Sequence, residues 1–277
     1  MSQRRRPAFT LIELLVVISV IALLMAILMP ALSRARKQAW FVECRSRLRT
    51  VGFAMVMYCE DNDGKIPGGP GAWEWSLRRY IGYQGQGDQV EFMRSMKWPY
   101  TCEAGVRVMK VKSDLYRRTF AINRWTTWYK TEDQDGDGRV DRIIPSGDDK
   151  GRLHTMSDAK HPSYTLFFVD TGYFFGLRNP QDQRFFGAVD GNSWYLPSFF
   201  HYGTEMKDLI AGGTGATGAR TAVYTDGRAN ILFFDGHVEG RRFTEYPMDP
   251  GRAPQELFNA GVTSDGWELF WYGGHRK

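Results

Sequence analysis

From Leu14 to Met29 every side chain is apolar except Ser19, and counting back to Phe9 the run reaches about 21 residues, enough to cross a bilayer as a helix. Glu13 stands at the front of this run. A carboxylate held in hydrocarbon costs about 3 kcal/mol, so its presence calls for a partner. Pro30 lies where a long helix would lose one backbone hydrogen bond and kink. Beyond it the pattern becomes amphipathic: Phe41, Cys44, Leu48, Val51, Met55 and Tyr58 recur at alternating intervals of three and four. That spacing predicts a helix with one buried stripe and charged residues on its other faces. Asp61-Asn62-Asp63-Gly64, followed by Pro67, ends it. At 1.5 Å per residue the whole helix, roughly 50 residues, would measure about 75 Å.

After Gly64 the chain turns to short apolar or aromatic runs broken by Gly, Pro, Asn and Asp, the pattern of strands and loops. The clearest strands are Tyr164 to Val169, Thr221 to Tyr224 and Ile231 to Phe234. Asp235-Gly236 predicts a tight hairpin turn, with both central positions at positive φ, into His237-Val238-Glu239. The expected fold is α+β, one long N-terminal α-helix packed on an antiparallel β-sheet.

With 277 residues, 43% of them hydrophobic, the chain can bury a core of one ordinary domain. Its net charge of +5 comes largely from Arg4, Arg5 and Arg6. The other basic cluster, Arg34, Arg36, Lys37, Arg45, Arg47 and Arg49, follows the apolar run, so lipid headgroups are its expected partner and nucleic acid is not. The cysteines Cys44, Cys59 and Cys102 allow at most one bridge. Cys44 and Cys59 on one straight helix lie about 22 Å apart, so any bridge uses Cys102. Cys44, on the buried stripe, reads as a packed thiol or a disulfide partner.

The segment Pro7-Ala8-Phe9-Thr10-Leu11-Ile12-Glu13-Leu14-Leu15 resembles the class III signal of type IV prepilins. In that family a prepilin peptidase cuts after a small residue, usually Gly and here Ala8, and the new N-terminal Phe, here Phe9, is methylated. The resemblance implies that Glu13 of one subunit neutralises the Phe9 amine of a neighbour inside an apolar bundle and sets the stagger between subunits. An ordinary secretory signal would account for the arginines but not for Glu13, and Pro30-Ala31-Leu32-Ser33-Arg34-Ala35 offers no clean small-x-small site. A plain anchor, or a twin-arginine signal on Arg5-Arg6, fits less of the pattern.

Further segments are similar to a large pilin-like family of planctomycetes and verrucomicrobia: Ser33-Arg34-Ala35-Arg36, Tyr58 to Gly64, Pro162 to Asp170 and Ala229 to Val238. That family is named for a His separated by nine residues from an Asp-Gly pair; this chain has Thr225 there. The resemblances imply a leader at 1–8, a transmembrane and assembly helix at 9–30, its amphipathic continuation at 31–64 and a β-rich pilin-like domain at 65–277. They imply a single-pass protein of the bacterial inner membrane with its domain in the periplasm, a pseudopilin of a type II secretion system or a subunit of a type IV pilus. Its partners would be prepilin peptidase, other pilin-like subunits, an inner-membrane assembly platform and the lipid bilayer. The alternative is an anchored calcium- or glycan-binding protein that uses the prepilin signal only for delivery.

Asp133, Asp135, Asp137, Arg139 through its carbonyl, and Asp141 follow the alternate-oxygen spacing of a calcium loop, with Gly138 after the third Asp. Ile144 occupies the twelfth position, so the bidentate carboxylate is missing; Asp148 or Asp149 would have to complete the site. Calcium is the only cofactor expected. Gly213-Thr214-Gly215-Ala216-Thr217-Gly218 matches a dinucleotide fingerprint in letters but lacks the strand before and the helix after it, and reads as a loop. His154, His161, His201, His237 and His275 have no metal-ligand spacing, and loop or strand-edge roles suffice for them. Trp73, Trp75, Trp98, Trp125, Trp128, Trp194, Trp267 and Trp271 are expected in the core for the most part, an exposed group being a carbohydrate platform. No catalytic arrangement can be assembled from the sequence, and no enzyme activity is expected.

Overall fold

The computed structural model describes residues 10–67, 72–83, 92, 101–102, 104–105, 119–123, 130–132, 142–144, 153–170, 173–175, 184–185, 188–189, 199–203, 206–209, 220–248, 250 and 255–273. The chain divides into two compact units, Met1–Ala39 and Trp40–Lys277. Helix α1, Leu11–Asp61, is 51 residues long, begins in the first unit and ends in the second. Among the described residues it is the one helix long and apolar enough to cross a membrane.

In the first unit the large apolar side chains of α1 are uncovered, Ile12 being 74% exposed and Leu28 62%. Ser19, the one polar interruption after Glu13, donates its hydroxyl to the Leu15 carbonyl at 2.7 Å, so the apolar run carries no unmet hydroxyl proton. The helix runs unbroken through Pro30, which has no N–H to offer the carbonyl one turn before it.

In the second unit Phe41, Cys44, Leu48, Val51, Met55 and Tyr58 are buried, as their spacing requires, and Gly52, Ala54 and Cys59 widen the stripe. The opposite face is less polar than expected: Val42, Phe53, Val56 and Met57 are exposed, Phe53 by 70%. The helix ends where Asp63 (φ 56°) and Gly64 (φ 77°) turn left-handed and the Gly64 N–H bonds back to the Cys59 carbonyl at 2.7 Å.

The stripe packs on a five-stranded sheet. Its strands are β1 (Phe120–Asn123), β4 (Leu166–Asp170), β7 (Ala188–Val189), β10 (Arg228–Phe233) and β11 (Val238–Arg242), in the order β11-β10-β4-β1-β7. Four strands pair antiparallel, as the α+β expectation requires; β7 adds at the edge in parallel, which the sequence did not signal. The register shifts between Leu232 and Phe233, a bulge that follows the Leu232–Phe168 pair. The other strands are β2 (Lys130–Glu132), β3 (Arg142–Ile144), β5 (Tyr173–Phe175), β6 (Arg184–Phe185), β8 (Met206–Leu209) and β9 (Arg220–Tyr224). Of these β2 pairs with β3, while β6-β5-β9-β8 form a second antiparallel sheet.

Two glycines let α1 approach the sheet closely. A Cβ on Gly52 would lie 2.8 Å from Leu232 Cδ2, and one on β11 Gly240 would overlap the Phe41 ring. Strand β4 is buried along its whole length, so both faces of the central strands are covered. Trp73, in helix α2 (Ala72–Ser76), meets Phe168 edge-on at 4.9 Å. Beyond helix α3 (Gln255–Asn259), helix α4 (Trp267–Tyr272) brings Phe270 against Tyr246 and Trp271, whose indole N–H donates to the Pro247 carbonyl at 2.8 Å. Asn123 joins β1, β4 and α4 by donating to the Leu166 and Trp271 carbonyls at 3.0 and 2.9 Å.

The β10–β11 turn departs from the expected form. Only Gly236 takes positive φ, at 88°; Asp235 does not. Phe233 closes a three-residue loop, accepting from the Gly236 N–H and donating to the His237 carbonyl, each at 3.0 Å, which is the arrangement of a hairpin with a glycine bulge. Asp235 uses its carboxylate instead, accepting from the His237 N–H at 3.1 Å and contacting the ring nitrogen Nδ1 at 2.5 Å. A second departure concerns Arg45 and Arg47. Both are half-buried and donate to protein carbonyls, Arg45 to Val238 at 2.6 Å and Arg47 to Thr101, with Glu43 one turn away pairing Arg47. These two guanidiniums thus have acceptors within the domain, the carbonyls at strand and loop ends that lie within their reach.

Candidate functional site

At the start of α1 the backbone N–H groups of the first turn have no intrahelical acceptor. Thr10 and Glu13 meet this need reciprocally. Glu13 Oε2 accepts from the Thr10 N–H at 2.8 Å and from its hydroxyl at 2.9 Å, and Thr10 Oγ1 accepts from the Glu13 N–H at 3.3 Å. This is a capping box, with Thr10 at the cap and Glu13 three residues on. Glu13 is exposed and has no cationic partner among the described residues of its own chain; its carboxylate contacts Thr10 alone. Thr10 was missed as a functional residue, although Thr-x-x-Glu ahead of an apolar run is a readable signal.

Ala8 and Phe9 lie outside the described residues, as do the whole Asp133–Asp141 loop, Asp148, Asp149 and the glycine-rich segment from Gly213 to Gly218. Strands β2 and β3, on either side of the acidic loop, pair antiparallel with Lys130 opposite Ile144. Thr225 opens the turn between β9 and β10. Trp73 and Trp271 are fully buried and Trp75 and Trp267 half-buried, so no described tryptophan offers an exposed platform. Trp98, Trp125, Trp128 and Trp194 lie outside the described residues.

The structure makes one arrangement in the second unit that local pattern could not reveal. Cys44 and Cys102 form a disulfide that fastens α1 to the segment before β1, with Cα atoms 5.3 Å apart. Beside it His201, which bridges to Arg228 at the start of β10 as a strand-edge residue, is also buried. Its Nε2 lies 3.8 Å from Cys102 Sγ, 3.2 Å from Asp170 Oδ2 and 3.2 Å from the Asn230 side-chain amide. Asp170 Oδ2 also accepts from the Asn230 backbone N–H at 2.6 Å, while Asp170 Oδ1 and Asn230 Oδ1 are buried without a hydrogen-bond partner among the described residues. The rings of Phe41 and Phe200 wall the imidazole at 5.1 and 4.5 Å. His154, His161 and His237 lie in loops, and His275 is outside the described residues. Cys59 is a free thiol, buried, and burial with help from the adjacent Glu60 carboxylate pushes it up to about 12.

Comparison with known proteins bears on the N-terminal segment. Residues 3–29 match the prokaryotic N-terminal methylation motif, which spans Ala8, Phe9, Thr10, Glu13 and the whole apolar run to Met29. The match supports a type IV pilin-like N-terminus, of the kind that is cleaved and methylated, and the apolar helix that follows fits membrane anchoring. No curated protein and no solved structure matches the chain.

Proposed function

We propose that this chain is a structural subunit of a pilin-like polymer, either the pseudopilus of a type II secretion system or a type IV pilus. In this reading prepilin peptidase cuts after Ala8 and methylates Phe9, and the mature chain waits in the inner membrane with its domain in the periplasm until an assembly platform adds it to other subunits. The observation that carries the reading is the methylation-motif match over residues 3–29. The uncovered apolar face of α1 supports it, because such a surface requires either lipid or the helices of neighbouring subunits. So does Glu13, whose carboxylate has a hydroxyl and an amide of its own turn but no counter-charge among the described residues; a methylated amine from a neighbour would supply one. The role is architectural, with no enzymatic step assigned.

Intact and N-terminal peptide mass spectrometry of the chain from its native membrane tests the reading. A mature chain beginning at N-methylated Phe9 is expected. A chain beginning near Ala35, or an uncut Met1, would refute it. Calcium on the segment Asp133–Asp141 belongs to the same proposal, and chelation is then expected to lower the Tm of the domain.

A further inference from the structure

In the second unit the face of α1 turned away from the sheet carries an apolar patch with a charge at each end. Phe53, Val56 and Met57 are exposed, as is Val42 about three turns earlier on the same face. Arg49 and Glu60 frame the patch, and both are exposed. Neither charge is answered on its own helix: no acidic residue stands three or four places from Arg49, and no basic one three or four places from Glu60. The two are about 16 Å from each other at 1.5 Å per residue. Neither has an ion-pair partner among the described residues, whereas Glu43 and Arg47 of the same helix are paired. A surface of large apolar groups framed by stranded opposite charges suits a partner that carries the same groups in complementary order.

The helix itself supplies that order. Eleven residues make about three turns and return to the same face within about 20°. A parallel copy of α1 displaced by 11 residues sets its Val42 against Phe53, its Ser46 against Met57 and its Arg49 against Glu60. The shorter offsets that keep this face together do worse. With none, Arg49 meets Arg49 and Glu60 meets Glu60; an offset of four sets Arg49 against Phe53, and one of seven sets it against Val56 and Phe53 against Glu60. We propose that the outer face of α1 from Val42 to Glu60 docks a second copy of this chain, parallel and displaced by about 16 Å along the helix, with Arg49 of one copy paired to Glu60 of the other. The parallel direction rests on the reading above, in which every copy leaves the same membrane by the same helix. The contact is head-to-tail. The stretch from Val42 to Arg49 on one copy meets the stretch from Phe53 to Glu60 on the next, so each outer copy keeps one stretch unused and the series continues as a filament instead of closing as a dimer. The charge pair, at the rim of the apolar contact, selects the register.

The test uses the full chain in its native membrane with Cys59 replaced by Ala. Cys44 and Cys102 are bonded to each other, so introduced cysteines are then the only free thiols. Val42→Cys and Phe53→Cys, both at exposed positions, are made singly and together and treated with a bis-maleimide too short to span about 16 Å. The double variant should give a ladder of dimers, trimers and longer products, while each single variant stays monomeric. In the double-cysteine chain Arg49→Glu and Glu60→Arg should each lower the cross-linked fraction by about fivefold, and the two together should restore it, a rescue that a merely structural role would not produce. A double-cysteine chain that stays monomeric, as it would with lipid or an unlike subunit on this face, overturns the proposal. So does cross-linking of Phe53→Cys alone, which marks an unstaggered pair, or a double charge swap no better than either single one. The state of the N-terminus is read separately by mass spectrometry: a methylated chain that stays monomeric refutes the docking and leaves the reading of the N-terminus intact, and a ladder from an uncut chain does the reverse.

Discussion

Reducing the Cys44–Cys102 bridge removes a cross-link between residues 58 positions apart in sequence. The loop-entropy relation gives about 4 kcal/mol for a loop of that size at 25 °C, acting chiefly on the unfolded chain. For a domain of this length the urea dependence lies toward the upper end of the usual range, about 2 to 3 kcal/mol per M, so the midpoint should fall by roughly 1.5 to 2 M. The assay is urea unfolding of the full chain in a mild detergent, followed by the fluorescence of the buried Trp73 and Trp271, with and without reductant and with a chelator present throughout. Both sulfur-bearing residues are buried, so the reduced sample is prepared by unfolding, reducing and refolding. Cys59→Ala should leave the difference between the two forms unchanged. A midpoint shift below about 0.5 M would refute the reasoning, since it would mean that the reduced, unfolded chain already holds these segments together.

The capping box separates two roles of Glu13: Glu13→Gln should preserve the first turn while removing the charge, so amide exchange at Thr10 and Glu13 stays near wild type and polymer incorporation fails. Thr10→Ala should instead speed exchange at those amides by about fivefold, the equivalent of a lost cap of about 1 kcal/mol. Gly240→Ala should destabilise the domain by about 1 to 3 kcal/mol in urea, because the new methyl meets the rigid Phe41 ring; Gly52→Ala should cost less, since about 1 kcal/mol of helix propensity offsets its contact with Leu232. Finding Gly52→Ala the worse of the two would contradict the packing described. Cys59, raised by burial from its ordinary 9.0 to about 12, should react with an alkylating agent about a thousandfold more slowly in the folded chain than in the unfolded one near neutral pH. Since the folded thiol holds its proton more tightly than the unfolded one, its stabilising contribution is complete below about pH 9 and is lost as pH rises toward 12.

Helix α1 was legible because its signals are local. An unbroken apolar run, a stripe spaced by threes and fours, and the Asp61 to Gly64 stop each report on neighbours within one or two turns. Strands β4, β9 and β10 were legible as dense aromatic and β-branched runs for the same reason. Edge strand β7 is two residues long and pairs in parallel across a wide gap in sequence, so nothing in its own letters marks it. The exposed Phe53 and Met57 could not be told apart from the buried stripe: between Thr50 and Cys59 no charge marks an outer face, and only the position of the sheet tells which side of the helix faces out. The Thr10 cap is also local, since Thr-x-x-Glu stands in the letters just ahead of the apolar run. Cys102, Asp170, His201 and Asn230 could not have been brought together by reading, because each belongs to a different stretch of chain and the sheet alone makes them neighbours.

The position of the bridge bears on how the domain carries mechanical load. Cys44 follows Phe41 by less than one turn at the leading edge of the buried stripe, and the stripe continues to Cys59 behind it. Tension arriving along α1 from its N-terminal side meets a covalent bond almost as soon as it meets the core. Peeling of the helix from the sheet therefore stops at Cys44, and the packing from Leu48 to Cys59 stays out of the path of the force. A reduced chain would have to resist the same pull with side-chain contacts yielding one after another.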